Sequence, residues 1–258
     1  MNLSLDLNNI GNYRSNSQIA RVITECWVSR NMYCPRCGHS HITKFENNRP
    51  VADFFCPSCR SEYELKSKNG ALGSKINDGA YKTMMERISG NKIPDLLLMS
   101  YSKQNAAVND LIIIPKCFFV PDIIERRTPL DKSAHRAGWV GCNILFEKIP
   151  EQGRISIISR GPICDAESVI KKVEMSRRLE SEDIVSRGWI MDILNCVNSM
   201  PADAFSLEEI YNFEYLLKNK HPENNNIKAK IRQQLQVLRD KGIIEFLGAG
   251  RYRKIKAD

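Results

Sequence analysis

Two groups of residues in this chain have the types and spacing to do chemistry. The first is a pair of C-x-x-C motifs, Cys34/Cys37 and Cys56/Cys59, with 18 residues between them. That spacing falls in the range of a four-cysteine zinc site. Each short turn aims two sulfurs at one point, and four thiolates close a tetrahedral Zn²⁺ shell that leaves no position for water. The expected role is therefore structural rather than catalytic. Two redox-active dithiols are the alternative, and His39 or His41, between the pairs, could replace a thiolate with an imidazole. Cys26, Cys117, Cys142, Cys164 and Cys196 read as small core residues, since the total of nine is odd and no secretion signal accompanies it.

The second group is Asp53 with Glu64-Leu65-Lys66. Side chains alternate along a strand, so Glu64 and Lys66 share one face and Leu65 turns to the other. If the segments flanking the Cys56/Cys59 knuckle pair as a hairpin, Asp53 joins them, and two carboxylates converge with an ammonium. Divalent-cation chemistry on a phosphodiester requires such a set. Asp53, Glu64 and the Leu65 carbonyl would offer oxygens to Mg²⁺. Lys66 would orient or deprotonate an attacking water and offset charge growing on a phosphorane-like transition state. The competing reading is an exposed strand carrying these residues by chance. Phe54 and Phe55 argue against it, because a carboxylate beside a buried strand is costly without partners.

The elements that must position these groups follow from periodicity. Apolar residues at three- and four-residue steps predict a helix over 17–30 behind a Ser17 N-cap. Val51 to Phe55 and Glu62 to Lys66 read as short strands, and Asn77 to Ile88 as a helix with Ala80, Met84 and Ile88 on one stripe. LLLMSY, LIIIP and RISIIS read as strands of a mixed sheet. The polar run SRRLESEDIVSR (176–187) reads as a linker and divides the chain into 1–182 and 183–258. Beyond it, helices are predicted at Gly188–Met200, Ser206–Leu217 (a capping box with Glu209) and Asn226–Lys241, the last stopped by Gly242. IIEFLGAGRYRKI then folds as two strands around Gly-Ala-Gly. Three helices followed by a basic hairpin is the order of a winged helix-turn-helix.

Composition narrows the function further. The 258 residues are 42% hydrophobic and 26% charged, which excludes fibrous and low-complexity classes. No stretch approaches the roughly 20 apolar residues needed to cross a bilayer, and the start lacks the basic and apolar regions of a signal peptide. A cytoplasmic location is expected. With 38 Lys+Arg against 30 Asp+Glu the net charge is +8, which favours a polyanionic partner. Most of the excess lies in the tail, where nine basic residues face three acidic ones from Asn226 onward.

Long stretches then resemble a known family: FENNRPVADF (45–54), ELKSK (64–68), INDGAYKTMM (76–85), RAGWVGCNI (136–144), SRGW and ILNC (186–196), KIRQQLQVLRDK (230–241), and the closing IEF and YRK. They are similar to the DpnI-like methyl-directed (type IIM) restriction endonucleases of the PD-(D/E)XK nuclease superfamily. The resemblance is weakest over 1–16 and 150–182. It implies an α/β (α+β) fold, with a mixed restriction-endonuclease-like sheet, an inserted four-cysteine zinc knuckle and a C-terminal winged helix. It also implies Asp53, Glu64 and Lys66 as the catalytic set, the four paired cysteines as zinc ligands, and Mg²⁺-dependent cleavage of double-stranded DNA at GATC carrying N6-methyladenine. The winged helix is implied to read the same methylated sequence independently, in a bacterial protein expected to act as a monomer. One departure is that Ala52 precedes Asp53 where the superfamily's nominal proline would stand, with Pro50 nearby.

An N6-methyl group removes one donor from the adenine edge and adds an apolar bulge in the major groove, so its reader should offer aromatic surface. Trp139 near Arg136 fits, and Gly138 and Gly141 argue for a loop, a core tryptophan being the alternative. In the tail, Asn226, Lys228, Lys230, Arg232 and Gln233 of the third helix are expected at the groove, with Ile231, Leu235 and Leu238 facing the core. Arg251 and Arg253 of the wing would meet phosphates. A solvated basic face is the bland alternative. Two rivals remain for the whole chain: a zinc-ribbon, winged-helix regulator without catalysis, and a repair or junction nuclease of the same fold.

Overall fold

A computed structural model of the chain describes residues 1–7, 13–46 and 52–255. Val51, the expected start of the first strand, and Pro50 lie outside these residues, as do Lys256 and Asp258 of the basic tail.

A six-stranded mixed sheet is the frame. Its strands are β1 (Thr43–Lys44), β2 (Phe54–Phe55), β3 (Glu62–Asn69), β5 (Asp95–Ser102), β6 (Ala107–Ile114) and β9 (Ile155–Ile158), in the order β1-β2-β3-β5-β6-β9. A second sheet has the order β4-β8-β7 (Lys75–Ala80, Gly141–Leu145, Ile124–Arg126), and helices α1 (Asn16–Asn31), α2 (Tyr81–Ser89) and α3 (Ala166–Arg177) pack around the first. β3 and β5 run parallel, and the other neighbours in the large sheet are antiparallel. β5 is buried along nearly its whole length, and its Leu96–Met99 run is apolar on both faces, as suits a central strand. Its residues alternate between two cores. Leu97 and Met99 join Trp27, Phe54, Tyr63 and the α3 residue Val173 on one face. Leu96 and Leu98 join Met84, Ile88, Ile144 and the C-terminal apolar residues on the other.

The C-terminal part contains α4 (Ile184–Asn198), β10 (Ala204–Ser206), α5 (Leu207–Tyr211), α6 (Glu214–Lys220), α7 (Ile227–Asp240), β11 (Ile244–Gly248) and β12 (Arg251–Lys254). A three-stranded sheet, β10-β12-β11, closes it as the wing. α7 stops where expected, with Gly242 at φ +72°. No helix among the described residues is long and apolar enough to cross a membrane.

Several elements differ from their predicted course. α1 begins behind Ser15, whose hydroxyl lies 2.8 Å from Ser17 Oγ and makes no cap bond. Residues 77–80, expected as the first turn of a helix, belong to β4, because Ile76 is buried in antiparallel pairing with β8 and Gly79 interrupts helical propensity. The helix expected over 206–217 is broken between Tyr211 and Glu214, although its Ser206/Glu209 capping box forms. α4 starts four residues early, within the expected linker, because the Asp183 side chain accepts from Ser186 N at 2.8 Å and caps it. Of the five cysteines expected in cores, Cys117, Cys142 and Cys196 are buried, whereas Cys26 and Cys164 are only half-buried.

The C-terminal part is joined to α2 and to the turn at Pro121–Ile123 through side chains as well as chain continuity. Arg187, 2% exposed, donates to Ile88 O at 2.9 Å. Lys220 Nζ bridges Asp122 Oδ2 (2.8 Å) and Asp192 Oδ1 (2.5 Å), and His221 Nε2 lies 2.8 Å from Asp192 Oδ2. The His221 ring stacks on Trp189 with centroids 3.7 Å apart.

Candidate active site and zinc centre

The two cysteine knuckles meet. All four sulfurs lie within 4.8 Å of one another, with Cys34–Cys59 and Cys37–Cys56 both at 3.6 Å. Tetrahedral Zn–S bonds of about 2.3 Å require S–S separations of about 3.8 Å, so the cluster has the dimensions of a Zn²⁺ shell. Burial pushes the Cys34 and Cys56 thiols up. Cys59 is raised by burial too, but its hydrogen bonds with Ser61 and the neighbouring thiols bring it down to about 7. Buried thiols this close are unfavourable as thiolates without a cation, and a metal supplies the missing charge. The cluster contains neither His39 nor His41, whose rings lie 5.1 Å from each other.

The second knuckle connects β2 to β3 and thereby sets the acid–lysine group. Asp53 stands one residue ahead of β2 rather than within it, but its amide donates to Tyr63 O (2.9 Å) and its carbonyl accepts from Phe45 N (2.8 Å). Its Oδ2 accepts from Leu65 N at 2.7 Å, which fixes the carboxylate against β3. Glu64 and Lys66 share a face as alternation requires, and Lys66 Nζ lies 2.7 Å from Glu64 Oε1. The Leu65 side chain packs toward the zinc-side core. The group opens into a cleft of about 600 Å³ between α1 and β3–β4.

A residue missed by sequence reasoning completes the set. Asp78 of β4 receives Lys66 Nζ at 2.5 Å and its own neighbour Gly79 N at 2.6 Å. Burial pushes the Glu64 carboxyl above its usual range, against the pull of Lys66. For Lys66, burial works to lower the pKa, but Glu64 and Asp78 outweigh it and hold the ammonium charged. The result is a group of carboxylates, Asp53, Glu64 and Asp78, around the Lys66 ammonium, suited to binding a hard metal ion and a phosphate together.

Trp139 is half-buried in the loop between β7 and β8, with the Arg136 guanidinium 4.7 Å from its ring. The loop is tied by Leu130 N to Trp139 O (2.9 Å) and Gly138 N to Leu130 O (3.0 Å). A Cβ on Gly141 would fall 2.8 Å from the indole, so only glycine lets the ring lie there. Asn226, at the N-cap of α7 rather than within it, is exposed, as are Lys228, Arg232 and Gln233 of α7, while Ile231, Leu235 and Leu238 are buried as expected. Lys230 is half-buried, 5.7 Å from the Trp189 ring, and donates to Gln233 Oε1 at 2.9 Å. Arg232 donates to the Tyr211 hydroxyl at 2.7 Å. Arg251 and Arg253 are exposed on the wing, Arg253 lying 3.5 Å from Glu245 Oε2.

Comparison with protein families agrees with both halves of this description. A family model described as DpnI, the Dam-replacing family, matches residues 1–182, and one described as the Dam-replacing HTH domain matches 185–254. The chain belongs to the DpnI family. Family membership makes it a methylation-dependent restriction endonuclease whose HTH domain binds double-stranded DNA. Within such an enzyme the grouping of Asp53, Glu64, Lys66 and Asp78 is the candidate active site. The HTH match covers α4 to β12, including the exposed face of α7 and the wing.

Proposed function

We propose that the chain is a type II enzyme that cleaves double-stranded DNA at GATC containing N6-methyladenine. The convergence of Asp53, Glu64 and Lys66 in an open cleft carries this reading. The Asp53 and Glu64 carboxylates and the Leu65 carbonyl are the hard oxygen donors suited to Mg²⁺, which when bound would polarise phosphoryl oxygens. Asp53, anchored by Leu65 N, and Glu64 bring negative charge to the cleft floor. Lys66, held as an ammonium by Glu64 and Asp78, is not the base that takes the water's proton. It orients the attacking water and neutralises charge on the phosphoryl oxygens, while the proton leaves to solvent. Water attacks phosphorus in line as the P–O3′ bond breaks, leaving a 3′ hydroxyl and a 5′ phosphate.

Residues 1–182 form the catalytic domain and 183–258 the winged-helix domain in this reading, and the enzyme acts as a monomer in the bacterial cytoplasm. Trp139 and Arg136 face the methyl group. Asn226, Lys228, Lys230, Arg232 and Gln233 approach the groove, and Arg251 and Arg253 the backbone. The deciding experiment is digestion, with Mg²⁺, of GATC plasmid from adenine-methylating and non-methylating hosts. Cutting of the methylated plasmid alone is expected. Cutting of both would remove the methyl requirement, and cutting of neither would favour a regulator.

A further inference from the structure

The two zinc knuckles follow the same backbone course. In each, the fourth residue after the first cysteine donates its amide to that cysteine's carbonyl: Gly38 N to Cys34 O at 2.9 Å and Arg60 N to Cys56 O at 3.0 Å. That residue is left-handed in both, with φ +76° at Gly38 and +61° at Arg60. Glycine adopts this conformation freely, whereas a side chain makes it unfavourable. A non-glycine residue held there points to a task for its side chain.

Arg60 lines a cleft of about 420 Å³ together with Arg36 of the first knuckle, Lys92 of the α2–β5 turn and Lys116 that follows β6. Glu62 and Asp95 are the acids on the wall, so positive charge is in excess by two. Asp95 is 6% exposed, and its Oδ1 is taken by Lys116 N at 2.8 Å. None of the four cations is in an ion pair with another described residue, although most of the surface cations near the acid–lysine site are. Ile93 and Pro94 line both this cleft and a small cavity against Glu64 and Asp78, so the two sites adjoin.

We infer that this cleft seats a phosphodiester of the bound duplex, on the flank of the phosphate presented to Glu64 and Lys66. The inference rests on the nuclease reading above. Guanidinium groups match phosphate bidentately and lysines add point charge. One zinc ion would thus hold two arginines from separate knuckles at a fixed spacing, giving the metal centre a part in substrate binding as well as in folding.

Two variants test it. Arg60→Gly removes the guanidinium while suiting the left-handed backbone, and Lys92→Ala removes a cation from outside the knuckles, so neither depends on the other for folding. Binding to a methylated GATC duplex with long flanks is measured without Mg²⁺ over a range of salt. The double variant should bind about tenfold more weakly at moderate salt, with a salt slope shallower by about one. A wild-type slope in folded, zinc-loaded variants overturns the inference. So does inorganic phosphate binding that is lost in the variants while duplex binding is unchanged, since the cleft would then serve a free anion. Should the wild type neither bind nor cut methylated duplex, the nuclease reading fails first and is recognised as the cause.

Discussion

The two faces of the six-stranded sheet bury different kinds of core. On one, Leu97, Met99, Leu111 and Ile113 pack with Trp27, Phe54, Tyr63 and the zinc-site residues Cys34 and Cys56. On the other, Leu96, Leu98 and Ile114 pack with Trp189, Ile193, Leu235 and Leu238, so one apolar cluster runs without a break into the winged-helix part. The hairpin that carries Asp53 and Glu64 begins with two-residue strands, which offer it few ladder hydrogen bonds. A cluster of metal ligands compensates, as in small domains whose cores are insufficient. The DNA-reading part is held by ordinary burial and by the Asp192 network. Chemistry and reading are thus stabilised by different means and should be separable.

The largest separation is expected from Lys66→Ala. Removing the ammonium that Glu64 and Asp78 hold in place should lower cleavage by about 10³-fold, by analogy with the loss of one preorganised charge-stabilising donor. Specific binding to methylated duplex should stay nearly intact, because the winged helix does not depend on Lys66. Single-turnover cleavage beside a binding titration checks this, and wild-type cutting would remove Lys66 from the mechanism. Chelation of zinc should follow, since metal binding and folding of such a site are one equilibrium. Cleavage and the Trp27 environment should be lost together while Trp189 keeps its emission. If both tryptophans change at one chelator concentration, the cores are not independent.

The zinc centre is legible in the sequence because a tetrahedral shell dictates cysteine spacing, and β5 and β6 are legible from their apolar runs Leu96–Met99 and Leu111–Ile114, although β6 begins earlier, through Asn109 and Asp110. Glu64 and Lys66 follow from alternation alone. Asp78 escapes, since 77–88 reads as one helix. Alternation in Lys75-Ile76-Asn77-Asp78 is the available signal: Ile76 is buried and Asp78 shares its face. The early start of α4 is hidden by a charged run whose Asp183 is in fact a cap. Which α7 side chains stay available to DNA depends on partners such as Tyr211, Glu214 and Trp189, which come from other elements and leave no local pattern.

Asp95 offers a smaller effect confined to the sheet. Burial raises its carboxyl to about 6, only partly offset by Lys116 N and by the charges of Arg36 and Lys116. A folded-state pKa above the unfolded value means that the folded chain holds this proton more tightly. The stability it contributes is complete below about pH 4 and is lost as pH rises through about 6, amounting to about 3 kcal/mol at most. Asp95→Asn keeps an acceptor for Lys116 N and cannot ionise. Denaturant unfolding at pH 4.5 and 7 should show the variant gaining on the wild type at the higher pH, and an equal difference at both would place the Asp95 carboxyl at its ordinary value.

The smallest effect tests the other part. Ser206 Oγ accepts from Glu209 N at 3.2 Å, and Glu209 Oε2 accepts from Ser206 N at 2.6 Å. α5 has only five residues, so this box satisfies a large share of its free amides. Ser206→Ala should cost about 1 kcal/mol. Ile210, fully buried, keeps α5 seated, so the loss should appear as a lower melting temperature with duplex binding intact at 25 °C. The informative comparison is between Trp189 and Trp27. A drop at Trp189 alone means that the winged-helix part melts before the zinc side of the sheet, whereas an equal drop at both means that β5 and β6, which contribute to both cores, couple them into one cooperative unit.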